Sequence, residues 1–220
     1  MKKLIAVLLI SAPLFGQISR SPGEFRHLQV TDRIQVELIA SDQERVEISG
    51  TRSSDVEVVN KNGDLKLRMK ITQIFDGENI EARVFFKELH SIQAGEGAFI
   101  GSASIFEQSN LSLTARTGGH IRLQMMVDEA KLRAVTGGIL NIRGRADELE
   151  INIGTGGIVN ARDLLSSRAE VEVKAGGEAK VNATQYVDAK VNAGGDILIY
   201  GNPAKIDQKT TLGGNISQAR

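Results

Sequence analysis

Four carboxylates recur at near-equal intervals in the second half of the chain: Glu150, Glu170, Asp188 and Asp207, separated by 20, 18 and 19 residues. If each interval is one coil of a stacked structure, they form a ladder with about 4.8 Å between neighbours. Several oxygens on one line suit a hard cation such as calcium, whereas like charges that close are unfavourable without an offset. Two residues further on, the same face carries Arg133, Lys190 and Lys209, although also Glu172. A solvated surface of mixed charge therefore competes with the calcium reading. The glycine-rich calcium-binding nonapeptide is absent, which favours the mixed surface.

Other chemistry is thinly supplied. His27, His90 and His120 lie far apart, with no ligand-spaced pair. There is no Cys to act as nucleophile and no Gly-x-Ser-x-Gly elbow. Consecutive glycine amides can cradle an anion, but the lysine and helix of a phosphate loop are missing. No catalytic residue and no cofactor are expected. The chain has 27 Lys+Arg against 27 Asp+Glu, so charge gives no argument for a nucleic-acid partner. Sugar sites lean on aromatic faces and placed polar groups; with no Trp, two Tyr and seven Phe, a glycan platform here would have to be largely polar.

The elements that must position these residues follow from glycine. Of 220 residues 23 are Gly and 3 are Pro, a composition of tight turns between strands. Residues 25–88 alternate apolar and polar positions in short runs such as "RIQVELIA" and "DLKLRMK", and "NKNGDLKL" carries the Asn-Gly of a type I′ hairpin. From Leu89 a repeat sets in. Its corners are Gly97, Gly119, Gly138, Gly157, Gly177, Gly195 and Gly214, spaced by 22, 19, 19, 20, 18 and 19 residues. Eight before each corner stand Leu89, Leu111, Ala130, Leu149, Ala169, Val187 and Ile206; two after stand Phe99, Ile121, Leu140, Val159, Ala179, Ile197 and Ile216. Charged and amide residues lie between these columns.

Leucine-rich repeats need a Leu spacing and an Asn ladder that do not occur here, and a propeller blade needs about 40–45 residues. One coil of a parallel β-helix per repeat fits. The expected fold is all-β: a right-handed parallel β-helix, or solenoid, of about seven coils, preceded by a short irregular β segment. Corner glycines either enter conformations barred to a residue with a Cβ or lie against the neighbouring coil. The expected division is 1–16 signal peptide, 17–88 N-terminal β segment capping the solenoid, and 89–220 repeat β-helix at about 19 residues per coil. The signal reading rests on "MKK", the apolar "LIAVLLISAPLF" and Gly16 before Gln17.

The short β segment containing "RIQVELIASDQERVEISG", then "L..I.A.G.G", the serial apolar-Gly-x-Gly rungs and the closing "YGNPAKIDQKTTLGGNIS" resemble the putative auto-transporter adhesin head GIN domain family of exported bacterial proteins. The resemblance covers about residues 25–217. Most rungs carry Thr-Gly-Gly or Ala-Gly-Gly where that family commonly shows Gly-Ser-Gly or Gly-Ala-Gly. It implies a β-solenoid at the bacterial cell envelope, periplasmic or outside the cell. The expected role is a non-catalytic scaffold or adhesion surface touching an envelope protein or glycan; the alternative is a polysaccharide-binding or polysaccharide-cleaving β-helix. After Gly214 only "NISQAR" remains, so an open C-terminal coil is expected to allow self-association.

Overall fold

The structure, a computed structural model, describes residues 18–70 and 77–219; the expected signal segment 1–16 lies outside the described residues. Eight short strands come first: β1 (Ile18–Arg20), β2 (His27–Val30), β3 (Gln35–Ala40), β4 (Arg45–Ser49), β5 (Val56–Lys61), β6 (Asp64–Met69), β7 (Glu81–Phe86) and β8 (Ser91–Ala94). Five long strands follow, β9 (Phe99–Arg116), β10 (His120–Val135), β11 (Ile139–Ile153), β12 (Gly157–Ala175) and β13 (Gly177–Ala193). The chain closes with β14 (Asp196–Tyr200), β15 (Lys205–Leu212) and β16 (Asn215–Gln218).

These strands stack as a parallel β-solenoid. Each long strand serves two faces. The stretch after a glycine corner builds what we call the leading face, and the stretch before the next corner builds the trailing face. Leu123 pairs with Ile142 on the leading face, while Leu132 pairs with Ile151 on the trailing one. Strict alternation then sends every second residue inward. Leu113, Leu132, Ile151, Val171 and Ala189 form one inward column, and Leu123, Ile142, Ala161, Val181 and Ile199 another, all at most 2% exposed.

The first repeat is offset by one from its expected column. His120 pairs with Phe99 and Ile121 with Ile100, so Ile100 points into the core and Phe99 outward. The cause is that Ala98, not Gly97, occupies the corner position of Gly119: the amides of both donate three residues back, to Gly95 O and Arg116 O.

The glycine pair divides two tasks. At Gly137 the backbone is left-handed (φ 72°), as it is at Thr136 before it (φ 50°), and the space around Gly137 is open. At Gly138 φ is ordinary, but a Cβ would overlap the Ala115 carbonyl of the preceding coil. Of the two constraints expected at the corner glycines, Gly119, Gly138 and Gly157 show only the close approach; the left-handed conformation falls on the glycine before each. In the later coils Gly177, Gly195 and Gly214 combine both constraints.

Residues 18–70 and 77–88 do more than cap. β2 lies parallel between β6 and β8, and β3 parallel between β7 and β9, so the β2–β3 and β6–β7 coils extend the stack. Their spatial order reverses their chain order, because the β2–β3 coil sits inside the later β6–β7 coil. Antiparallel strands finish this end: β4 on β7, β5 on β6 and β1 on β4. The β5–β6 hairpin turns at Asn62 and Gly63, both with positive φ (55° and 89°), as a type I′ turn requires. The β2–β3 coil turns without glycine. Asp32 and Arg33 take positive φ, and the buried Asp32 carboxylate accepts the Thr31 hydroxyl and the Met69 N–H, each at 3.0 Å.

The opposite end is open. Among the described residues no strand covers the outer edges of β15 and β16. Core positions there turn polar, with Gln208 and Thr210 exposed, while Leu212 is 73% exposed.

Candidate functional site

The four recurring carboxylates do form one ladder. Glu150 pairs with Glu170, Glu170 with Asp188 and Asp188 with Asp207 on the trailing face. Each oxygen set is already engaged. Lys131 lies 3.8 Å from Glu150, whose other oxygen accepts the Asn152 amide at 2.7 Å. Lys190 bridges Glu170 (3.7 Å) and Asp188 (2.7 Å). Asp207 accepts from Lys205 and from the Tyr186 hydroxyl, at 2.7 and 2.8 Å. Those two hydrogen bonds, Lys205 first, hold the Asp207 carboxyl below its usual range, and the same contact pushes the Tyr186 hydroxyl up. Among the described residues, no three metal-ligating side chains converge.

Folding joins two of the three histidines. The His27 and His90 rings meet edge-on at 6.3 Å, with His27 Nδ1 2.8 Å from Ser91 Oγ and His90 Nε2 2.9 Å from Glu88. The hydrogen bond from His90 is the main cause that lowers the Glu88 pKa. This pairing arises because β2 and β8 are stacked neighbours, a consequence of the reversed coil order.

The leading face holds a different constellation. One outward column runs Phe99, His120, Ile139 and Ile158, and the next runs Gly101, Arg122, Asn141 and Asn160. Phe99 packs edge-on against His120 at 5.1 Å, and Ile158 is 38% exposed. Beside this apolar strip lies a depression of about 400 Å³ lined by Ser102, Arg122, Asn141, Arg143, Asn160 and Asp163, with Leu123 and Ile142 beneath.

Two bulges shape that depression. β9 inserts extra residues between Gly101 and Ile105, opposite Arg122 and Gln124 of β10. β12 inserts one between Asn160 and Leu164, opposite Asn141 and Gly144 of β11. The β10 and β11 coils, in regular register with each other, therefore lie between two bulged ones; bulges commonly bend a strand beside a binding site. The first bulge is fastened by the Ser102 hydroxyl, which donates to Leu38 O at 3.1 Å and accepts from Ser104 N at 3.1 Å. The second is fastened by Asn182, which donates to Arg162 O at 2.8 Å, while the Ser166 hydroxyl donates to Asn182 O at 2.8 Å.

Inside, the donors are largely uncommitted. Arg122 and Arg143 are exposed and make no ion pair or hydrogen bond among the described residues. Asn141 donates to His120 Nε2 at 2.7 Å, so that nitrogen is unprotonated. Burial first, and the nearby Arg122 charge second, lower the His120 pKa. Asn160 Oδ1 accepts weakly from Arg162 N at 3.5 Å, and its amide NH₂ has no hydrogen-bond partner among the described residues.

This constellation was legible in part. The intervals of 22 and 20 residues depart from 19 in the two coils that bulge. What no interval shows is that the arginines of the coils between would share one hollow.

The fold and this face define a parallel β-solenoid that carries side-chain ladders and a polar surface depression. The chain belongs to the family described as "Putative auto-transporter adhesin, head GIN domain", whose model matches residues 24–203. The adhesin description of that family suggests a cell-surface or exported protein. Solved structures agree in fold. A putative adhesin from Bacteroides fragilis superposes with a TM-score of 0.83 at 17% identity, covering 93% of this chain and 97% of that one. A protein described as a putative lipid binding protein from Parabacteroides distasonis gives 0.75 at 17% identity, covering 93% and 96%. A putative adhesin from Parabacteroides merdae gives 0.66 at 17%, with the same coverage. No curated protein matches the chain.

Proposed function

We propose that this protein is a non-catalytic contact module of the bacterial envelope, exported by its N-terminal segment and touching a polysaccharide or surface protein through the leading face. The observation that carries this reading is the bulge-walled depression, where Arg122, Arg143 and Asn160 present donors that the fold itself does not use. The ladder carboxylates of the trailing face, by contrast, are engaged by Lys131, Lys190 and Lys205. The lining supplies one carboxylate, Asp163, whereas glycoside hydrolysis ordinarily takes two. The adhesin description of the family and of the structural neighbours supports a contact role.

The test is a combined binding and turnover screen of the mature protein against envelope and host polysaccharides and intact bacterial surfaces. Saturable binding without depolymerisation is expected. Depolymerisation at an enzyme-like rate would overturn the non-catalytic reading, and absence of binding to every surface and polysaccharide would overturn the contact reading. Export is tested separately: sequencing of the exported form should begin near Gln17, and a chain still starting at Met1 would count against cleavage.

A further inference from the structure

We infer that the depression between the two bulged coils binds the carboxylate of an acidic polysaccharide, a hexuronate unit, with Arg122 and Arg143 as its anion clamp. The inference rests on the contact reading above and names its ligand class.

Placement comes from the register. Arg122 pairs with Asn141, and Arg143 lies two residues beyond Asn141 on the same outward face. Adjacent strands about 4.8 Å apart and about 3.3 Å of rise per residue put the two arginine Cα atoms about 8 Å apart. Two long side chains with that separation can converge on one anion from either side. A guanidinium is always charged and presents a planar fork of donors that fits a carboxylate bidentately. Both forks are available, since neither arginine pairs with a carboxylate among the described residues, Asp163 on the same lining included.

The remaining groups suit a sugar ring more than a bare anion. Asn141 uses its amide NH₂ on His120, which leaves Oδ1 as an acceptor for a hydroxyl. Asn160 offers the complementary NH₂, and Asp163 is a second hydroxyl acceptor. Alongside, the Phe99–His120–Ile139–Ile158 strip gives the apolar face of a pyranose something to lie on, one coil per step. Because the coils repeat at strand spacing, the strip and the amide column run along the solenoid axis. A linear chain laid along that axis would meet the arginines at one place only, so binding should have a defined frame.

The arrangement also explains why poverty in aromatic residues does not exclude a glycan. Charge-assisted hydrogen bonds replace stacking as the main recognition element, and they are roughly twice as strong as neutral ones.

The experiment measures binding of the mature protein to a hexuronate hexasaccharide, a sulfated hexasaccharide and a neutral hexasaccharide, by calorimetry at low and at physiological salt. Three variants accompany it: Arg122→Ala with Arg143→Ala, the charge-keeping Arg122→Lys with Arg143→Lys, and Asn160→Tyr, which fills the hollow without removing charge. Circular dichroism melts check that each is folded. The hexuronate should bind at least tenfold more tightly than the neutral sugar and lose affinity with salt. The alanine pair should lose at least tenfold, the lysine pair should retain part of the affinity, and Asn160→Tyr should lose binding altogether. Equal affinity of the alanine pair and the wild type, or preference for the neutral or sulfated chain, would overturn the hexuronate inference. If Asn160→Tyr still abolished binding in that case, the contact face would stand and only its ligand class would be wrong. Release of unsaturated sugar ends would uphold the site while overturning the non-catalytic reading. No binding of any of the three sugars would overturn the inference, leaving the contact reading to the surface screen.

Discussion

Replacing Gly138 with Ala should cost far more stability than the same change one residue earlier, at Gly137. A Cβ on Gly138 would overlap the Ala115 carbonyl and come within 2.9 Å of Arg116 N. Both atoms are backbone of the neighbouring coil and cannot rotate away. Relief requires the coils to separate locally, which strains the inter-coil bond from Ile139 N to Gly119 O (2.9 Å), and the corner to distort, which weakens its own bond from Gly138 N to Val135 O (3.0 Å). Overpacking typically costs ~1–3 kcal/mol and a weakened hydrogen bond about 1 kcal/mol. Stiffening the unfolded chain returns ~0.4–1 kcal/mol, so the net loss is about 3 kcal/mol. At Gly137 nothing lies nearer than 4.0 Å to the new Cβ, and only the left-handed backbone (φ 72°) is penalised. That costs ~1–2 kcal/mol before the same unfolded-state return, for a net loss of about 1 kcal/mol. For a chain of this size, melting should fall about 6–12 °C for Gly138→Ala and about 2–4 °C for Gly137→Ala. Lys131→Ala on the exposed trailing face serves as the control and should move least. Thermal and urea unfolding of the three variants decides the matter. Equal midpoints for Gly138→Ala and Gly137→Ala would refute the division of labour within the glycine pair.

Burial, and then the Arg122 charge nearby, oppose protonation of His120, so its folded pKa lies below the ordinary 6.5. The unfolded chain then binds the proton more readily. Stability should be complete above about pH 6.5 and decline as pH falls towards the folded pKa, a decline that His120→Gln should reduce in pH-dependent melts. Millimolar calcium should leave the melting temperature unchanged, because Lys131, Asn152, Lys190, Lys205 and Tyr186 occupy the ladder carboxylates. A calcium-dependent rise that vanishes when Glu150, Glu170, Asp188 and Asp207 become amides would refute this. Amides of β15 and β16 should exchange faster than those of β11, since among the described residues the last coil has a neighbour on one side only. Protection equal to that of β11, persisting on dilution, would mean that the edge is covered within the monomer.

Much of the solenoid was legible because parallel stacking makes the sequence repeat. Identical positions in successive coils meet identical neighbours, so Leu132, Ile151 and Val171 face one environment and share one chemistry. The same logic puts Glu150, Glu170, Asp188 and Asp207 in line from their spacing alone. It misplaced Phe99, because counting from Gly97 takes no account of Ala98 serving as the corner in that coil.

By itself the sequence determined the strand period, the glycine corners, the inward columns and the charged ladder, all of which depend on spacing along the chain. Tertiary structure alone decided which coil lies beside which. β2 and β3 slip between coils formed by later residues, a choice made by burial of Leu28, Val36 and Leu38 against both neighbours, which no local pattern encodes. It also decided that the extra residues of β9 and β12 flank the coils that carry Arg122 and Arg143. A bulge is an excess of one strand relative to its partner, so its position exists only once the two strands are paired.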